Sequence, residues 1–407
     1  MNLKVLITGS SKFPVPAVKG GAVPNLIEEL IQQQQEENKI ELTCCSLWDS
    51  KAEQEALKYT NTEFIWAKTP EYISSLDHAI TWILKKIFRV NRLLSIGFLF
   101  QVIWFTFYIA KVLKKNDYDR VIFENSVPML FAMKLYGNRK KYKDKYYIHM
   151  HSVPRKYYGN SKIFSECKGL ISISDYVAIS ILEDSRSGIK KSQIRIMYNC
   201  IDTEKIRPLN SNINMKEKYN IPVDKKIILF AGRLCKEKGI EEVLKMMTQV
   251  QEKNTVLVVV GANFYSSGIV SPYEKYLQNL AVPLKDRIKF TGYVNYQDMA
   301  QIYNMADVVV LPSMWDEPAG MTIIEAMACR KPVITTISGG IPEYTGNNTC
   351  VLLKRDEKLV ENLAKTVDKI LNDNDYGTRV ANLGYKRAQN YNKRFYYNQL
   401  LEILKEE

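Results

Sequence analysis

The sequence predicts an α/β protein with two doubly wound, Rossmann-like domains, and two observations indicate this fold class. Short β-rich runs alternate with segments of helical spacing through both halves of the chain. The chain has 407 residues, 46% of them apolar, which is too long for one ordinary core and apolar enough for two. Continuous apolar strands separated by helices are typical of parallel sheets that are covered on both faces.

The predicted strands define the two domains. They are more regular in the second half, where segments such as GIEEVLKMMTQVQEK have the spacing of amphipathic helices. We expect one domain over 1–200, a second over 201–385 and a final helix-like segment over 386–407. The predicted strands are 3–9, 39–47, 119–125, 145–151, 169–174, 226–232, 255–263, 287–294, 307–313, 331–336 and 350–354.

The charge of the chain is uneven. The net charge is +13, and residues 1–200 hold 29 Lys and Arg against 19 Asp and Glu, which leaves 28 against 25 in the rest. A basic half would suit an anionic membrane surface, a phosphate-bearing acceptor or nucleic acid, or would be a solvated surface without a partner. No RNA-binding signature accompanies the scattered tyrosines, so we do not expect nucleic acid.

The cysteines and the amino terminus predict a cytoplasmic protein. The seven cysteines are odd in number and contain no C-x-x-C pair, so they favour neither a disulfide framework nor a zinc site. The amino terminus MNLKVLITGS begins directly as a strand, without a basic region followed by an apolar signal core.

An apolar segment, residues 93–110, raises the question of a membrane. Its sequence LLSIGFLFQVIWFTFYIA carries no charge and is flanked by lysines and arginines. The length only just reaches what a membrane-spanning helix needs, and a span would separate two halves of one predicted sheet. We therefore favour a helix that lies against the sheet or contacts a membrane surface over a true span.

The stretch WDEPAGMTIIEAMACRKPVITT, residues 315–336, places two carboxylates eight positions apart. Its Pro-Ala-Gly step predicts a turn that leads into a helix at about Gly320 or Met321. Glu317 is then a loop residue, and Glu325 is a helix residue.

The first turn of that helix is suited to an anion. The backbone N–H groups of Gly320, Met321 and Thr322 would have no acceptor within the helix, and they would point outward along the helix dipole. The stretch therefore predicts an anion-binding turn flanked by two acceptors.

Two cations follow another predicted strand. After KIILFAG comes the loop GRLCKEKGI, in which Arg233 and Lys238 lie at the carboxyl end of the strand. Open parallel sheets bind ligands beyond these ends, and a guanidinium with an ammonium would neutralise a diphosphate there. Basic loop residues are usually solvated surface, but a position opposite Gly320 would favour the ligand role.

Two of the three histidines, His149 and His151, lie in YIHMHS at the end of a predicted strand. Alternation within the strand places both on the same face. Such a pair can bind a metal, but no third ligand is near in sequence, so metal binding is the weaker interpretation. We expect His149 to be buried and hydrogen-bonded, whereas His151, last in the strand, is better placed to contact a substrate.

Paired glycines near the amino terminus, Gly20 and Gly21, precede AVPNLIEEL, which has apolar residues at helical spacing. They would let the backbone approach a ligand at a helix start, although a plain loop explains them equally well. The first strand is followed by neither G-x-G-x-x-G nor G-x-x-x-x-G-K-[ST]. Hydride transfer and ATP hydrolysis are therefore not favoured.

Several sequence motifs occur in a characteristic order: LITG…KGGAVPNLIEEL, HMHS, NCIDTEKIRP, FAGRLCKEKGIEEVL, FTGYV and EPAGMTIIEAMACRKPVITTISGGIPE. Together they resemble the retaining glycosyltransferases of family four over nearly the whole chain. The most specific is the E-x7-E element, Glu317 to Glu325. The resemblance implies the GT-B fold, in which two Rossmann-like domains face each other across a cleft, and a C-terminal helix, 386–407, that crosses back to the first domain.

The resemblance also implies how a nucleotide-sugar donor is held. Arg233 and Lys238 would bind the diphosphate, and Glu325 would accept hydrogen bonds from the ribose hydroxyls. Glu317 would hold the donor sugar. The backbone N–H groups that assist it would be those of Gly320, Met321 and Thr322.

From the first domain, Gly20 and Gly21 would approach the phosphates, and His151 would contact the donor sugar, although the choice between His149 and His151 stays open. No metal or other cofactor is implied, since the helix start and the cations would stabilise the departing diphosphate. In the mechanism implied by the family, the acceptor hydroxyl attacks the face that the nucleotide leaves. A phosphate oxygen takes its proton, and the anomeric configuration is retained.

Three residues depart from the family pattern. Ala319 stands where a bulky aromatic is common, Cys200 where glycine often follows asparagine, and Arg330 where glycine often ends the helix. Ala319 would widen the sugar pocket unless a neighbour fills the space. The donor sugar and its base therefore stay open.

The resemblance predicts a retaining, metal-independent, hexosyl-type glycosyltransferase. It would move a sugar, with UDP as the favoured carrier, to a hydroxyl of a glycan or lipid-linked acceptor in polysaccharide biosynthesis, such as that of a bacterial capsule. Peripheral contact with the inner face of the cell membrane is a further hypothesis.

Two rival functions stay open. One is a nucleotide-sugar epimerase on the same fold, and the other is a non-catalytic sugar-binding subunit of a transferase complex. A non-catalytic subunit would be expected to have lost motif residues, whereas Arg233, Lys238, Glu317 and Glu325 are all present.

Overall fold

Two units, each built around one parallel sheet, make up the chain. The first contains Met1–Cys200 and Lys393–Glu407, and the second contains Ile201–Asn392. The predicted pair of parallel sheets is confirmed. The computed structural model describes residues 2–86, 98–209, 213–261 and 272–406.

In the first unit, the apolar runs predicted from the sequence form the central strands, whose side chains are almost all buried. The strands are β1 (Lys4–Thr8), β2 (Glu41–Leu47), β3 (Thr62–Ala67), β4 (Arg120–Glu124), β5 (Tyr146–Met150), β6 (Gly169–Ser172) and β7 (Ile194–Ile196). The helices are α1 (Ala22–Glu37), α2 (Ser50–Ala56), α3 (Glu71–Lys86), α4 (Leu99–Lys115), α5 (Asn138–Lys141), α6 (Ser161–Ser165) and α7 (Asp175–Glu183).

The strand order of this sheet reverses between two central strands. The order is β3-β2-β1-β4-β5-β6-β7, and all neighbours are parallel. The chain therefore moves one way from β1 through β2 to β3 and the other way from β4 onward. In open α/β sheets, ligands bind beyond the carboxyl ends of the strands at such a switch point.

The strand predictions missed β3 and β7. Strand β3, with the sequence TEFIWA, lies at an edge of the sheet, and its middle residues are exposed or half-buried, so it lacks a continuous apolar run. Strand β7 is only three residues long and partly exposed. Both lie at sheet edges, where burial on two faces is not required.

The second unit repeats the plan with buried, β-branched strands. Strands β8 and β9 are the most apolar of the set, and β9 is buried at every position. The strands are β8 (Lys226–Ala231), β9 (Thr255–Val260), β10 (Ile288–Gly292), β11 (Val308–Leu311), β12 (Val333–Thr336) and β13 (Val351–Leu353). The helices are α8 (Ile213–Lys218), α9 (Ile240–Gln249), α10 (Pro272–Ala281), α11 (Met299–Met305), α12 (Met321–Ala328), α13 (Ile341–Thr345), α14 (Leu359–Asn372) and α15 (Asn374–Ala388).

The second sheet has the order β10-β9-β8-β11-β12-β13, again with parallel neighbours throughout. Its strand order reverses between β8 and β11. The loops that follow these two strands, residues 232–239 and 312–320, therefore begin at adjacent positions on the carboxyl edge of the sheet. These are the loops in which the sequence places the two cations and Glu317.

The last helix, α16 (Lys393–Lys405), belongs to the first unit. It packs on α1 through buried Tyr397, whose hydroxyl donates a hydrogen bond to Gln34 Oε1, and through an ion pair of 3.1 Å between Lys393 and Glu36. The returning segment begins at Lys393 rather than at residue 386, because α15 continues as a helix to Ala388.

The apolar segment 93–110 is described only in part. Residues 93–97 lie outside the described residues, and most of the remainder forms the first part of α4. No helix among the described residues combines the length and the apolar composition that a bilayer crossing requires.

Candidate functional site

Helix α12 begins where the sequence predicts. Gly320 precedes its first residue and has a φ of 83°, a left-handed conformation that glycine adopts without strain. The Gly320 carbonyl accepts a hydrogen bond of 3.0 Å from the N–H of Ile323. The first N–H groups of the helix, those of Met321 and Thr322, have no acceptor inside it. The turn therefore presents donors at the positive end of the helix dipole.

Glu317 lies in the loop before α12 and is buried, with 6% of its surface exposed. Lys238, in the loop after β8, donates to Glu317 Oε1 through its ammonium, and Ser313 Oγ donates to the same oxygen at 3.1 Å. The backbone of Glu317 is also held, because the N–H of Gly340 donates to its carbonyl at 2.7 Å. The fold thus joins two site residues that lie 79 positions apart.

Glu325 lies in the middle of α12, and its carboxylate is almost fully buried. The Tyr303 hydroxyl donates to Glu325 Oε2 at 2.7 Å. Burial raises the pKa of Glu325 to about 7, although the hydrogen bond from Tyr303 opposes the rise. Further hydrogen-bond donors would lower the pKa of such a buried carboxyl group, because they stabilise its ionised form.

Two glycines let the loops around the site approach each other. A Cβ on Gly239, whose φ is 70°, would lie 1.9 Å from the carbonyl oxygen of Pro312. A Cβ on Gly339 would lie 2.2 Å from the carbonyl oxygen of Glu317. Only glycine permits these backbone approaches, and they set the positions of Lys238 and Glu317.

A cavity that opens to solvent lies between these loops and the start of α12, with a volume of about 270 Å³ including its open part. Its polar groups come from three segments: the loop after β8 that carries Lys238, the loop that follows β11, and the first turn of α12. The apolar side chains of β8, β11, α12 and α13 form the rest of its wall. The lining residues are Phe230, Ala231, Lys238, Leu311, Ser313, Glu317, Gly320, Thr322, Ile323 and Ile341.

Arg233 lies in the same loop as Lys238, but it is exposed and is not among the described residues that line the cavity. Burial raises the pKa of the neighbouring Cys235 thiol, and the charge of Arg233 partly opposes that rise. Of the two predicted cations, the structure therefore brings only Lys238 to Glu317. Glu325 is also absent from the lining and lies one turn further along α12.

Replacing Gly320 with Ala tests whether the turn binds an anion. The change should lower the free energy of unfolding by about 1–2 kcal/mol, because Ala does not tolerate the left-handed conformation. It should also weaken UDP binding, since a turn that relaxes no longer aims its N–H groups into the cavity. The matched control is Gly292→Ala, which has a φ of 73° and no atom within 4 Å of the added carbon. Thermal unfolding and UDP titration of both variants would separate strain from binding. Equal UDP affinity in the two would remove the turn from the site.

In the first unit, the two histidines share one partner. His149 Nδ1 lies 3.1 Å from Glu124 Oε1, and His151 Nε2 lies 3.0 Å from Glu124 Oε2. The two rings lie on the same side of the strand, with centroids 4.2 Å apart, as alternation predicts. His149 is buried and hydrogen-bonded, as the sequence indicated, and His151 is less buried.

Among the described residues, one group of side chains could hold a metal ion. It consists of Glu124, His149 and His151. The candidate ligand atoms lie within 4.8 Å of one another, and two histidines with a glutamate form a set that zinc accepts. Each ring nitrogen that faces Glu124 lies at hydrogen-bond distance from a separate carboxylate oxygen. Hydrogen bonds between Glu124 and the two rings therefore account for these two short distances.

Gly20 and Gly21 lie immediately before α1, at the helix start that the sequence predicts. Their φ angles of 70° and 109° are ones that other residues rarely adopt. A Cβ on Gly20 would meet no atom within 4 Å, so its role is conformational rather than steric. The pair follows β1, one of the two strands at the switch point.

Sequence reasoning missed three partners in these sites: Ser313, Tyr303 and Glu124. Ser313 and Glu124 come at or just after the carboxyl ends of predicted strands, so the rule that selected Lys238 and His151 could have found them. Tyr303 lies inside α11, where a buried tyrosine is most simply a core residue.

Comparison with known proteins finds a family match within the second unit. Residues 211–387 match the family model of the group 1 glycosyl transferases. The chain is 26% identical over 227 residues to spore coat protein SA of Bacillus subtilis, which covers 54% of this chain and 60% of that protein. It is 32% identical over 148 residues to the lipopolysaccharide 1,2-N-acetylglucosaminetransferase of Salmonella typhimurium, covering 36% and 38%. The matched regions span about half the length of the curated relatives.

Solved structures match over the whole chain. HepE of Anabaena, crystallised with UDP and glucose, superposes with a TM-score of 0.71 at 17% identity and covers 99% of both chains. Similarity at this level of identity defines the fold. Residues 211–387 thus match the family model of the group 1 glycosyl transferases, in agreement with the resemblance of the motifs to family four, and the chain has the GT-B fold.

Proposed function

We propose that the protein transfers a sugar from a nucleotide diphosphate, with UDP as the favoured carrier, to a hydroxyl of a glycan or lipid-linked acceptor. The observation that carries this proposal is the cavity of the second unit. Its lining includes Lys238, Gly320 and Thr322, so the Lys238 ammonium and the start of α12 would face one space. Together these groups suit a diphosphate, which needs counter-charge once it leaves water.

The two glutamates then have separate tasks. Glu317 lines the cavity and would hold the donor sugar, with the N–H groups of Gly320, Met321 and Thr322 beside it. Glu325 lies further along the same helix and would accept the ribose hydroxyls. This division accounts for their spacing, since the diphosphate would lie between the two carboxylates.

Similar proteins support the donor and the setting. HepE of Anabaena has been solved with UDP and with UDP-glucose, and the Salmonella relative is named for lipopolysaccharide. We extend these to a UDP-sugar donor and to bacterial polysaccharide assembly, including that of capsules, for this chain.

We infer a retaining reaction that needs no metal. The acceptor hydroxyl would attack the face that the nucleotide leaves, and a phosphate oxygen would take its proton. Lys238, Arg233 and the start of α12 would stabilise the charge that develops on the diphosphate. In this mechanism Glu317 orients the sugar and forms no bond to it. From the first unit, the Gly20–Gly21 turn would meet the phosphates, and His151 would meet the donor sugar.

A two-stage experiment tests the function. Thermal unfolding is first followed with nucleoside diphosphates and nucleotide sugars, because a ligand that binds the folded chain raises its melting temperature by mass action. The best donor is then incubated with and without a glycan acceptor. Transfer that requires acceptor supports the proposal. Conversion of the donor without acceptor would identify an epimerase, and binding without turnover in the presence of many acceptors would favour a non-catalytic subunit.

We further propose that the first unit contacts an anionic membrane. Leu99, Ile103 and Phe107 repeat every four residues on one face of α4 and are 44%, 44% and 42% exposed. Phe131 extends this apolar stripe, with its ring 6.3 Å from that of Phe107 and 40% exposed. Exposed lysines follow along the chain at 111, 114 and 115, and Lys134 Nζ lies 5.4 Å from the centroid of the Phe131 ring. An apolar face with a basic border suits the interface of an anionic bilayer.

Replacing Leu99, Ile103 and Phe107 together with Ser should reduce sedimentation with vesicles of phosphatidylglycerol at least tenfold, because about 0.8 kcal/mol is lost per CH₂ group no longer buried. A matched control replaces Leu57 and Val223 with Ser. These residues lie outside the stripe and are 77% and 73% exposed, so this variant should bind the vesicles as the unsubstituted protein does. Equal binding by the triple variant and the control would remove the stripe from the proposal.

A further inference from the structure

The carboxyl edge of the first sheet holds a buried cluster of Glu124, His149 and His151, in which the family resemblance gives Glu124 no role. Glu124 ends β4, His149 lies within β5 and His151 follows it. Glu124 and His149 are 3% and 1% exposed. The cluster lies beside β1, since the N–H of Glu124 is 3.2 Å from Thr8 Oγ1. It therefore lies at the switch point of the sheet, where a ligand is expected.

The charge of Glu124 fixes the direction of its hydrogen bonds. Each of its two carboxylate oxygens faces one ring nitrogen, and a carboxyl group is a stronger acid than an imidazolium, so the proton between them stays on the ring and Glu124 is ionised. An ionised carboxylate can only accept hydrogen bonds. Each ring nitrogen that faces Glu124 must therefore carry a proton, which means Nδ1 of His149 and Nε2 of His151.

The remaining ring nitrogens are assigned by elimination. His149 Nε2 is buried without a partner among the described residues, so a proton there would be a buried donor with no acceptor. The His151 side chain is 8% exposed, and burial favours the neutral form of an imidazole, so its ring holds one proton near neutral pH. That proton is already on Nε2, and Nδ1 of His151 carries a lone pair. The backbone of His151 is held in place, because its N–H donates to Asn125 Oδ1 at 3.0 Å.

We propose that Glu124 is a positioning residue for His151. It holds the imidazole as the Nε2–H tautomer and so makes Nδ1 a hydrogen-bond acceptor for a hydroxyl of the bound sugar. The identity of the ligand rests on the proposed function, whereas the tautomer rests only on the contacts within the first unit. His149 shares the carboxylate and keeps it aligned between the two rings.

The variant Glu124→Gln tests this assignment sharply, because its side chain keeps the shape but presents one acceptor and one donor. One histidine must then offer a lone pair to the amide nitrogen and move its proton to its other ring nitrogen. For His149 that nitrogen is Nε2, which has no acceptor among the described residues. We therefore expect His151 to change to the Nδ1–H tautomer, in which Nδ1 can no longer accept a hydrogen bond.

Nitrogen-15 NMR of histidine side chains reads the tautomers directly. The chain has only three histidines, so His78→Gln and His149→Gln variants assign the signals. The unsubstituted protein should show His151 protonated at Nε2, and Glu124→Gln should show it protonated at Nδ1. A matched control, Glu63→Gln, removes a carboxylate that accepts from Thr43 on the far strands of the same sheet, and should leave the signals unchanged. An Nδ1–H tautomer of His151 in the unsubstituted protein would overturn the proposal.

Kinetics connect the tautomer to the reaction. In Glu124→Gln the kcat of sugar transfer should fall about tenfold, the effect of one lost hydrogen bond, while affinity for UDP, whose site lies in the second unit, should not change. An unchanged kcat in a variant whose His151 has switched tautomer would overturn the positioning role. If the unsubstituted protein transfers no sugar, the proposed function fails, and the spectra alone decide the assignment.

Two further results, a spectrum and a metal analysis, test the assignment independently of Glu124→Gln. If Glu124→Gln does not fold, the spectrum of the unsubstituted protein still decides which nitrogen of His151 is protonated. Metal analysis of the purified protein is the second result. One equivalent of zinc, lost in His151→Gln, would show that the trio binds a metal instead of sharing hydrogen bonds.

Discussion

Lys238→Ala is expected to weaken UDP binding about 10- to 100-fold and to destabilise the second unit. The binding loss comes from a charged hydrogen bond to phosphate, which contributes about 1.5–3 kcal/mol. The stability loss has a different origin. Without Lys238, the buried Glu317 carboxylate keeps only Ser313 as a side-chain donor among the described residues. Removing one partner of a buried ion pair costs about 3 kcal/mol, because the other charge stays uncompensated.

A double variant separates these two effects. Adding Glu317→Gln to Lys238→Ala removes the unpaired charge, so most of the lost stability should return, but the affinity for UDP should stay low. Lys236→Ala is the matched control, since Lys236 is exposed in the same loop and outside the cavity. Calorimetric titration with UDP and thermal unfolding give both quantities. UDP affinity that recovers together with stability in the double variant would show that Lys238 only supports the fold.

Glu325→Gln is expected to stabilise the ligand-free protein at pH 8 while weakening UDP binding. The pKa of Glu325 is raised from 4.5 to about 7. Because the folded state holds this proton more tightly, the contribution to stability is complete below pH 4.5 and is lost as the pH rises through about 7. At pH 8 the buried charge costs about 3 kcal/mol, which glutamine avoids. Near pH 5 the variant and the unsubstituted protein should be about equally stable.

The affinity for UDP should change in the opposite direction. An ionised Glu325 accepts the ribose hydroxyls, and glutamine offers a weaker acceptor, so affinity at pH 8 should fall about tenfold or more. UDP affinity of the unsubstituted protein should rise between pH 6 and 8, and the variant should lack the part of the rise that Glu325 supplies. Glu242→Gln is the control, since burial also raises the pKa of Glu242 but that residue lies on α9. A destabilised Glu325→Gln at pH 8, or one that binds UDP normally, would contradict this account.

Most of the fold could be predicted because its signals are local. Fully buried strands such as β9 and β11 are continuous apolar runs, and the Pro-Ala-Gly step marks the start of α12 at Gly320. Edge strands give weaker signals, since β3 is only partly buried and β7 is three residues long. The predicted start of the returning segment, residue 386, lies before Lys393, because neither glycine nor proline separates the end of α15 from the start of α16.

The site was harder to predict, because its contacts join distant residues. The spacing of Glu317 and Glu325 identified both carboxylates, but the partners that set their charge, Lys238 and Tyr303, depend on how four elements pack. Glu124 is the clearest case. It ends a predicted strand, yet only the pairing of β4 with β5 shows that it lies between both histidines.

The central claim is that a diphosphate binds between the Lys238 loop and the first turn of α12. A crystal structure of the protein with UDP measures this most directly. The account predicts that the diphosphate lies within hydrogen-bond distance of Lys238 Nζ and of the N–H groups of Met321 and Thr322, with the ribose at Glu325. UDP bound at another surface, with the Lys238–Glu317 ion pair intact and the cavity beside it empty, would contradict it.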